Sequence, residues 1–395
     1  LNRKGTSPKA TPMVNAVKVF KKTAPNGKIT VYLGRRDFVD NTQTTEPIDG
    51  VVLCDNDYLR GRKVYACVTV TYRFGREEDE VMGLHFSKDL QLTCEQIYPS
   101  SENAEPTAVQ DRLMKKLGTN AYPFAITIPQ SAPASVQLHT GKEESTKPLG
   151  VIYEMKVYVA ENGEEKPHKR NSVTLAVRKV QYAPVDRTKR QPSTMVSKGF
   201  ALSSGKINME VNLDKDLYYH GETITPMINI NNGSKKTVKN IKCAIVQHVE
   251  LTMTNNQFTR EVASLESKEG CPVTPGSNLQ KPFNLVPLAS SNKNKYGIVL
   301  DGKLKDTDAN LASSTVVSEG TNPNDATGII VSYSARVRLN CGALGGELLA
   351  DLPFKLMHPA PGGVSTKSQG REGEELVFED FARLRRGMSV DPDQN

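Results

Sequence analysis

The chain has no tryptophan and is only 6% aromatic, and no apolar run approaches the ~18–20 residues of a membrane span. The first absence bears on partners. Residues 1–36 carry nine Lys/Arg and no acid, yet no basic helix or aromatic–basic platform accompanies them on which bases could stack, so nucleic acid is excluded as the partner. Leu1–Val17 has no uninterrupted apolar stretch, hence no secretory leader is expected. The six cysteines (54, 67, 94, 243, 271 and 341) are widely spaced with no C-x-x-C, which argues against a structural zinc and for reduced cytosolic thiols. Cys67, Cys243 and Cys341 sit in alternating apolar segments and read as strand residues. The chain also lacks G-x-S-x-G, a Walker A loop, G-x-G-x-x-G, H-E-x-x-H and an EF-hand loop. Its six histidines (85, 139, 168, 220, 248 and 358) are scattered without ligand spacing. No enzyme, metal or cofactor is expected.

The dominant pattern that is present has period two. Val64, Ala66, Val68, Val70, Tyr72 and Phe74 alternate with Tyr65, Cys67, Thr69, Thr71 and Arg73. Val151–Val159 alternates in the same way, as do Ile207–Leu213, Ile241–Ile245 and Ile329–Leu339 in the second half. Turns such as Pro25-Asn26-Gly27, Asn162-Gly163 and Asn231-Asn232-Gly233 punctuate them. The implied class is all-β, built as antiparallel sandwiches. One segment is helical instead: Val109, Leu113 and Leu117 form a single stripe, with Thr107 placed to cap it and Gly118 to end it. Such a lone amphipathic helix needs a surface to cover.

A length of 395 residues fits two or three domains. Tyr182–Thr194 has two prolines, three basic residues and no apolar alternation, and reads as a hinge. The expected division is an extension (1–17), a sandwich (18–181), the hinge (182–194), a second sandwich (195–360) and a tail (361–395). Within the tail, Pro361–Gly373 is a Gly/Ser-rich tether leading to the apolar–acidic patch Leu376–Phe381. Glu372–Asp380 holds five acids, so a basic front faces an acidic tail in charge.

Several segments taken together are similar to one family. They are "VFKKTAPNGKITVYLGRRDFVD" (19–40), "EPIDGVV" (46–52), "DEVMGLHF" (79–86), "LMKKLGTNAYPF" (113–124), "LAVRKVQYAP" (175–184), "LYYHGE" (217–222), "LDGKLKDTDANLASST" (300–315), "PFKLMHP" (353–359) and "LVFEDFAR" (376–383). These resemble the arrestins, in family order from about residue 18 to 384. The resemblance implies two immunoglobulin-like β-sandwiches and a tail folded back on the first. It further implies a cytoplasmic protein, recruited to the membrane, that binds active, phosphorylated G-protein-coupled receptors and ends their signalling.

The resemblance also assigns roles. A buried polar core would comprise Asp37, Arg178, Asp301, Asp308 and Arg383; from the residues alone, an arginine in an otherwise Ala/Val/Thr strand already asks for carboxylate partners. Lys21 and Lys22, with Arg36 and Lys305 nearby, would take receptor phosphates. Val19 and Phe20, the helical stripe Val109, Leu113 and Leu117, and the tail's Leu376, Phe378 and Phe381 would form an apolar clasp. Gly75–Leu84, with Gly75, Glu80, Val81, Met82, Gly83 and Leu84, would be the receptor-engaging finger loop.

Within the family, the short tail is similar to that of invertebrate visual arrestins, making rhodopsin the implied receptor. "FEDFARLRRG" (378–387) resembles a tail motif for the AP-2 endocytic adaptor, through Phe381, Arg383 and Arg385, and Ser389 after Arg385-Arg386 suits a basophilic kinase. Lys242, Arg260, Arg336 and Arg338 would bind inositol phosphates or phosphoinositides; Val246 stands where a non-visual relative carries Arg. The competing class, a receptor-independent trafficking adaptor of arrestin fold, typically carries PPxY motifs, and this chain has none.

Overall fold

The structure, a computed structural model, describes residues 17–41, 44–74, 87–100, 105–139, 149–165, 167–184, 190–201, 203–302, 310–316, 328–342, 345–359 and 376–380. Strands dominate, in chain order. The first group is β1 (Val17–Thr23), β2 (Ile29–Leu33), β3 (Asp37–Asp40), β4 (Ile48–Cys54), β5 (Lys63–Arg73), β6 (Ser87–Tyr98), β7 (Ala121–Ile126), β8 (Val136–His139), β9 (Leu149–Ala160) and β10 (Ser172–Gln181). Among the described residues two α-helices interrupt it, α1 (Asn56–Leu59) and α2 (Ala108–Leu117). The second group is β11 (Ser193–Phe200), β12 (Ser203–Asn212), β13 (Leu217–Tyr219), β14 (Met227–Asn232), β15 (Asn240–Leu251), β16 (Asn256–Ser267), β17 (Asn278–Pro282), β18 (Ile298–Asp301), β19 (Ile329–Asn340) and β20 (Glu347–Met357). The tail contributes β21 (Leu376–Asp380).

The strands pair into four sheets. In the first half, the sheet β21-β1-β2-β4-β7 faces a second one ordered β18-β8-β9-β10-β3, to which β5 and β6 are added through β9. Val31, Leu33, Val52 and Phe124 from the one and Val68, Tyr153, Val173 and Leu175 from the other are buried in a common core. The second half repeats the plan with β11-β12-β14-β17 against β13-β20-β19-β15-β16. β20 alternates exposed and buried residues from Glu347 to Leu356, as a strand with one wet face must. Among the described residues no helix is long and apolar enough to cross a membrane.

Two features position the site. β18 belongs to the second half by sequence, yet it pairs antiparallel with β8 and so extends the first half's sheet. Gly302 then makes a close approach: a Cβ there would lie 2.7 Å from the Ser135 Cβ, too near for any side chain, and its N–H donates to the Ser135 carbonyl at 2.9 Å. The other feature is α2, whose start is a capping box: Thr107 Oγ1 accepts from the Gln110 N–H and Gln110 Oε1 accepts from the Thr107 N–H. Gly118 ends the helix at φ +87°, a conformation that favours glycine. Its buried side is wider than the expected stripe, because Gln110 is also inside, donating from Nε2 to the Gly50 and Phe124 carbonyls.

The cysteine reading needs correction. Cys67 and Cys94 are opposite each other in the β5–β6 register, with Cα atoms 3.9 Å apart, and form a disulfide. The expectation of six reduced thiols rested on compartment and spacing, neither of which reveals cross-strand register. Cys54, Cys243, Cys271 and Cys341 are free. Cys243 lies within β15, whereas Cys341 falls one residue past the end of β19.

Candidate functional site

Period two sends consecutive residues of β10 to opposite sides, and Arg178 and Lys179 are consecutive. β10 pairs parallel with β3, which sets Arg178 beside Asp37. The guanidinium binds that carboxylate at two points, Nε–Oδ1 at 2.8 Å and Nη2–Oδ2 at 2.5 Å, and its Nη1 donates to the Gly302 carbonyl at 2.8 Å. Arg178 thus ties β3 to the turn that follows β18. Its side chain is 14% exposed, but that of Asp37 is 44% exposed, so solvent screens the pair and leaves the carboxylate open to competition.

Lys179 points the other way and is fully enclosed. Its Nζ meets Asp40 Oδ2 at 3.0 Å and donates to the Gln130 and Ala132 carbonyls at 3.0 and 2.6 Å. Burial pulls its pKa down, and Asp40 opposes that pull. Asp301, expected in the same polar core, pairs elsewhere: Oδ2 lies 2.6 Å from His358 Nε2, and Oδ1 accepts from the Ser313 N–H at 3.2 Å.

The tail strand forms the neighbouring part of the site. β21 lies parallel to β1, in the register Val17↔Leu376 to Lys21↔Asp380. Leu376 and Phe378 pack on a cluster made by Val19, Val109 and Leu113, with Leu117 at its margin. The Phe378 ring meets Tyr32 edge-on at 5.6 Å, under the Lys116 ammonium at 4.6 Å. Phe20 sits outside this cluster, with the Arg36 guanidinium 5.0 Å from its ring. Charges line the same seam: Lys18 pairs with Glu379, and Lys21 Nζ is 3.7 Å from Asp380 Oδ1. Lys22 instead donates to the Thr174 carbonyl at 2.6 Å.

Comparison with known proteins bears on this arrangement directly. Residues 29–183 match the family model "Arrestin (or S-antigen), N-terminal domain", and residues 203–361 match "Arrestin (or S-antigen), C-terminal domain". The chain belongs to the arrestin family. It is 58% identical to "Arrestin homolog" of Locusta migratoria, over 94% of this chain and 97% of that protein. It is 55% identical to "Arrestin, lateral eye" of Limulus polyphemus, over 94% and 96% of the two chains. With "Phosrestin-1" of Drosophila melanogaster it shares 51% identity, over 94% and 98%.

In this arrestin, the cations expected to bind inositol phosphates lie on or beside β15, β16 and β19, and each has partners. Lys242 and Arg338 face each other in register. Lys242 pairs with Glu261 at 2.8 Å, Arg338 with Glu347 at 3.3 Å, and Arg336 binds Asp351 at two points, 2.8 and 3.0 Å. Arg260 donates to the Tyr296 carbonyl at 2.8 Å. An anion arriving there must displace three carboxylates.

Of the other expected positions, Lys305, Asp308, Phe381, Arg383, Arg385 and Ser389 lie outside the described residues, as do Gly75, Glu80, Val81, Met82, Gly83 and Leu84. Sequence reasoning missed the enclosed Lys179–Asp40 pair and the convergence of His220 with His358. The first had a signal, a lysine in a Val/Leu-rich strand. The second had none, since the two histidines meet only through sheet register.

Proposed function

We propose that this arrestin is a non-enzymatic, cytoplasmic clamp for active, phosphorylated seven-helix receptors, rhodopsin in a photoreceptor membrane, and that its binding terminates G-protein signalling. The observation that carries the reading is the seam between β1 and β21, where Lys18 and Lys21 are held by the tail carboxylates Glu379 and Asp380. A receptor phosphate brings about −1.5 to −2 charges and competes for the same cations. These carboxylates are exposed, so each pair contributes only ~0–1 kcal/mol and can be displaced. The half-exposed Asp37 beside Arg178 offers a second point of competition.

Displacement frees β21, and with it Leu376 and Phe378. The names "Arrestin, lateral eye" and "Phosrestin-1", borne by relatives more than half identical, support a visual role. AP-2 contact through Phe381, Arg383 and Arg385, phosphorylation at Ser389 and inositol-phosphate binding near Arg336 belong to the same proposal. The deciding measurement is a pull-down of the full chain by active rhodopsin, phosphorylated and bare. Strong preference for the phosphorylated form is expected, and equal capture by both would overturn the switch.

A further inference from the structure

We propose that His220, Asp301 and His358 form a binding site for a divalent transition-metal ion of the zinc class, placed where the two halves of the molecule meet. The three side chains offer two imidazole nitrogens and a carboxylate oxygen, all within 4.8 Å of one another. Sheet register brings them together. β13 runs parallel to β20 with Tyr219 opposite Met357, so His220 and His358 emerge side by side just past the paired residues, and the His220 N–H donates to the Met357 carbonyl at 3.1 Å. Asp301 arrives from β18, in the sheet of the first half.

The chemistry suits zinc. Zn–N and Zn–O bonds of about 2.0–2.2 Å in a tetrahedral site set ligand atoms roughly 3.3 Å apart, so modest side-chain rotations convert the present arrangement into a coordinating one. The hydrogen bond between His358 Nε2 and Asp301 Oδ2, now 2.6 Å, would open to admit the ion. Ser313 supplies orienting contacts: its Oγ is 3.1 Å from His220 Nε2 and its N–H donates to Asp301 Oδ1.

Two imidazoles and one carboxylate favour zinc or its neighbours over calcium or magnesium, which take oxygen sets. A bound ion would join the strands of the second half to the strand that half contributes to the first.

The test uses the full chain, stripped with chelator and carrying Cys271→Ser to remove the partly exposed thiol. It is titrated with Zn²⁺ by calorimetry and with Co²⁺ by visible absorption. One equivalent with micromolar or tighter affinity is expected, with Co²⁺ bands of a mixed nitrogen–oxygen site. His220→Gln should weaken binding by more than about ten-fold, and His248→Gln should leave it unchanged. Should His220→Gln fail to fold by circular dichroism, imidazole NMR of the folded chain decides. Zn²⁺-induced shifts of His220 and His358 support the site, and shifts confined to other histidines overturn it. Absence of binding, or equal binding by a folded His220→Gln protein, also overturns it.

Discussion

Arg178→Glu sets a carboxylate against Asp37, replacing a two-point attraction with repulsion across the β3–β10 pair. Under the proposed switch, receptor phosphate breaks that contact, so the variant is expected to bind bare active rhodopsin several-fold better and to lose most of its preference for phosphate in pull-downs. The restoring partner is Asp37→Arg, since Asp37 is the carboxylate that the guanidinium grips; the double variant should regain much of the preference. Lys179→Met tests the opposite kind of residue. It removes the enclosed ammonium beside Asp40, which is only 4% exposed. Removing one partner of a buried pair costs about 3–5 kcal/mol, so its urea midpoint should fall sharply while any protein that folds keeps its phosphate preference. The oddness of Arg178 among Ala, Val and Thr was legible in the sequence. Lys179 left only the hint of a lysine in a Val/Leu-rich strand, because alternation says that neighbours face opposite ways without saying which side is closed.

α2 and β21 behave as a helix and a strand that meet over one apolar cluster. The helix is fastened separately by Gln110, whose buried amide bridges β4 and β7 through Gly50 and Phe124. Gln110→Ala leaves two buried carbonyls without that donor and removes half of the capping box, a loss of roughly 2–4 kcal/mol expected in chemical denaturation. Deleting 372–395 acts on the other partner. It uncovers β1 along the Val17–Lys21 register and exposes Val109 and Leu113. Amide exchange in β1 and α2 should accelerate, and bare active rhodopsin should be bound more strongly; unchanged exchange would show that β21 does not protect this surface. Period and caps revealed the strands and the helix from sequence. They could not reveal that β1 pairs in parallel with a strand from the far end of the chain, because period two fixes a strand's faces and not its neighbour.

Across the whole molecule, the proposed tail release and the proposed adaptor contact would draw on one segment. Pairing with β1 restrains Leu376–Asp380, and a peptide of residues 374–390 is free of that restraint. The peptide should therefore bind AP-2 at least as tightly as receptor-bound arrestin, and the receptor-free protein should bind much less. Equal affinity with and without phosphorylated receptor would remove the gating, and a peptide with no affinity would remove the AP-2 role.

β18 has a different consequence, for how the molecule can be divided. The two family matches, 29–183 and 203–361, look like interchangeable modules, yet the edge strand of the first module's sheet is written in the second. A fragment that stops at residue 184 exposes the rim of β8, Val136–His139, an adhesive edge that invites self-association. A chimera that joins the first module of one arrestin to the second of another imports a foreign edge strand, with its Asp301 and Gly302, into the heart of the host. Such hybrids will respect the native seam only when 298–302 travel with the module whose sheet they complete.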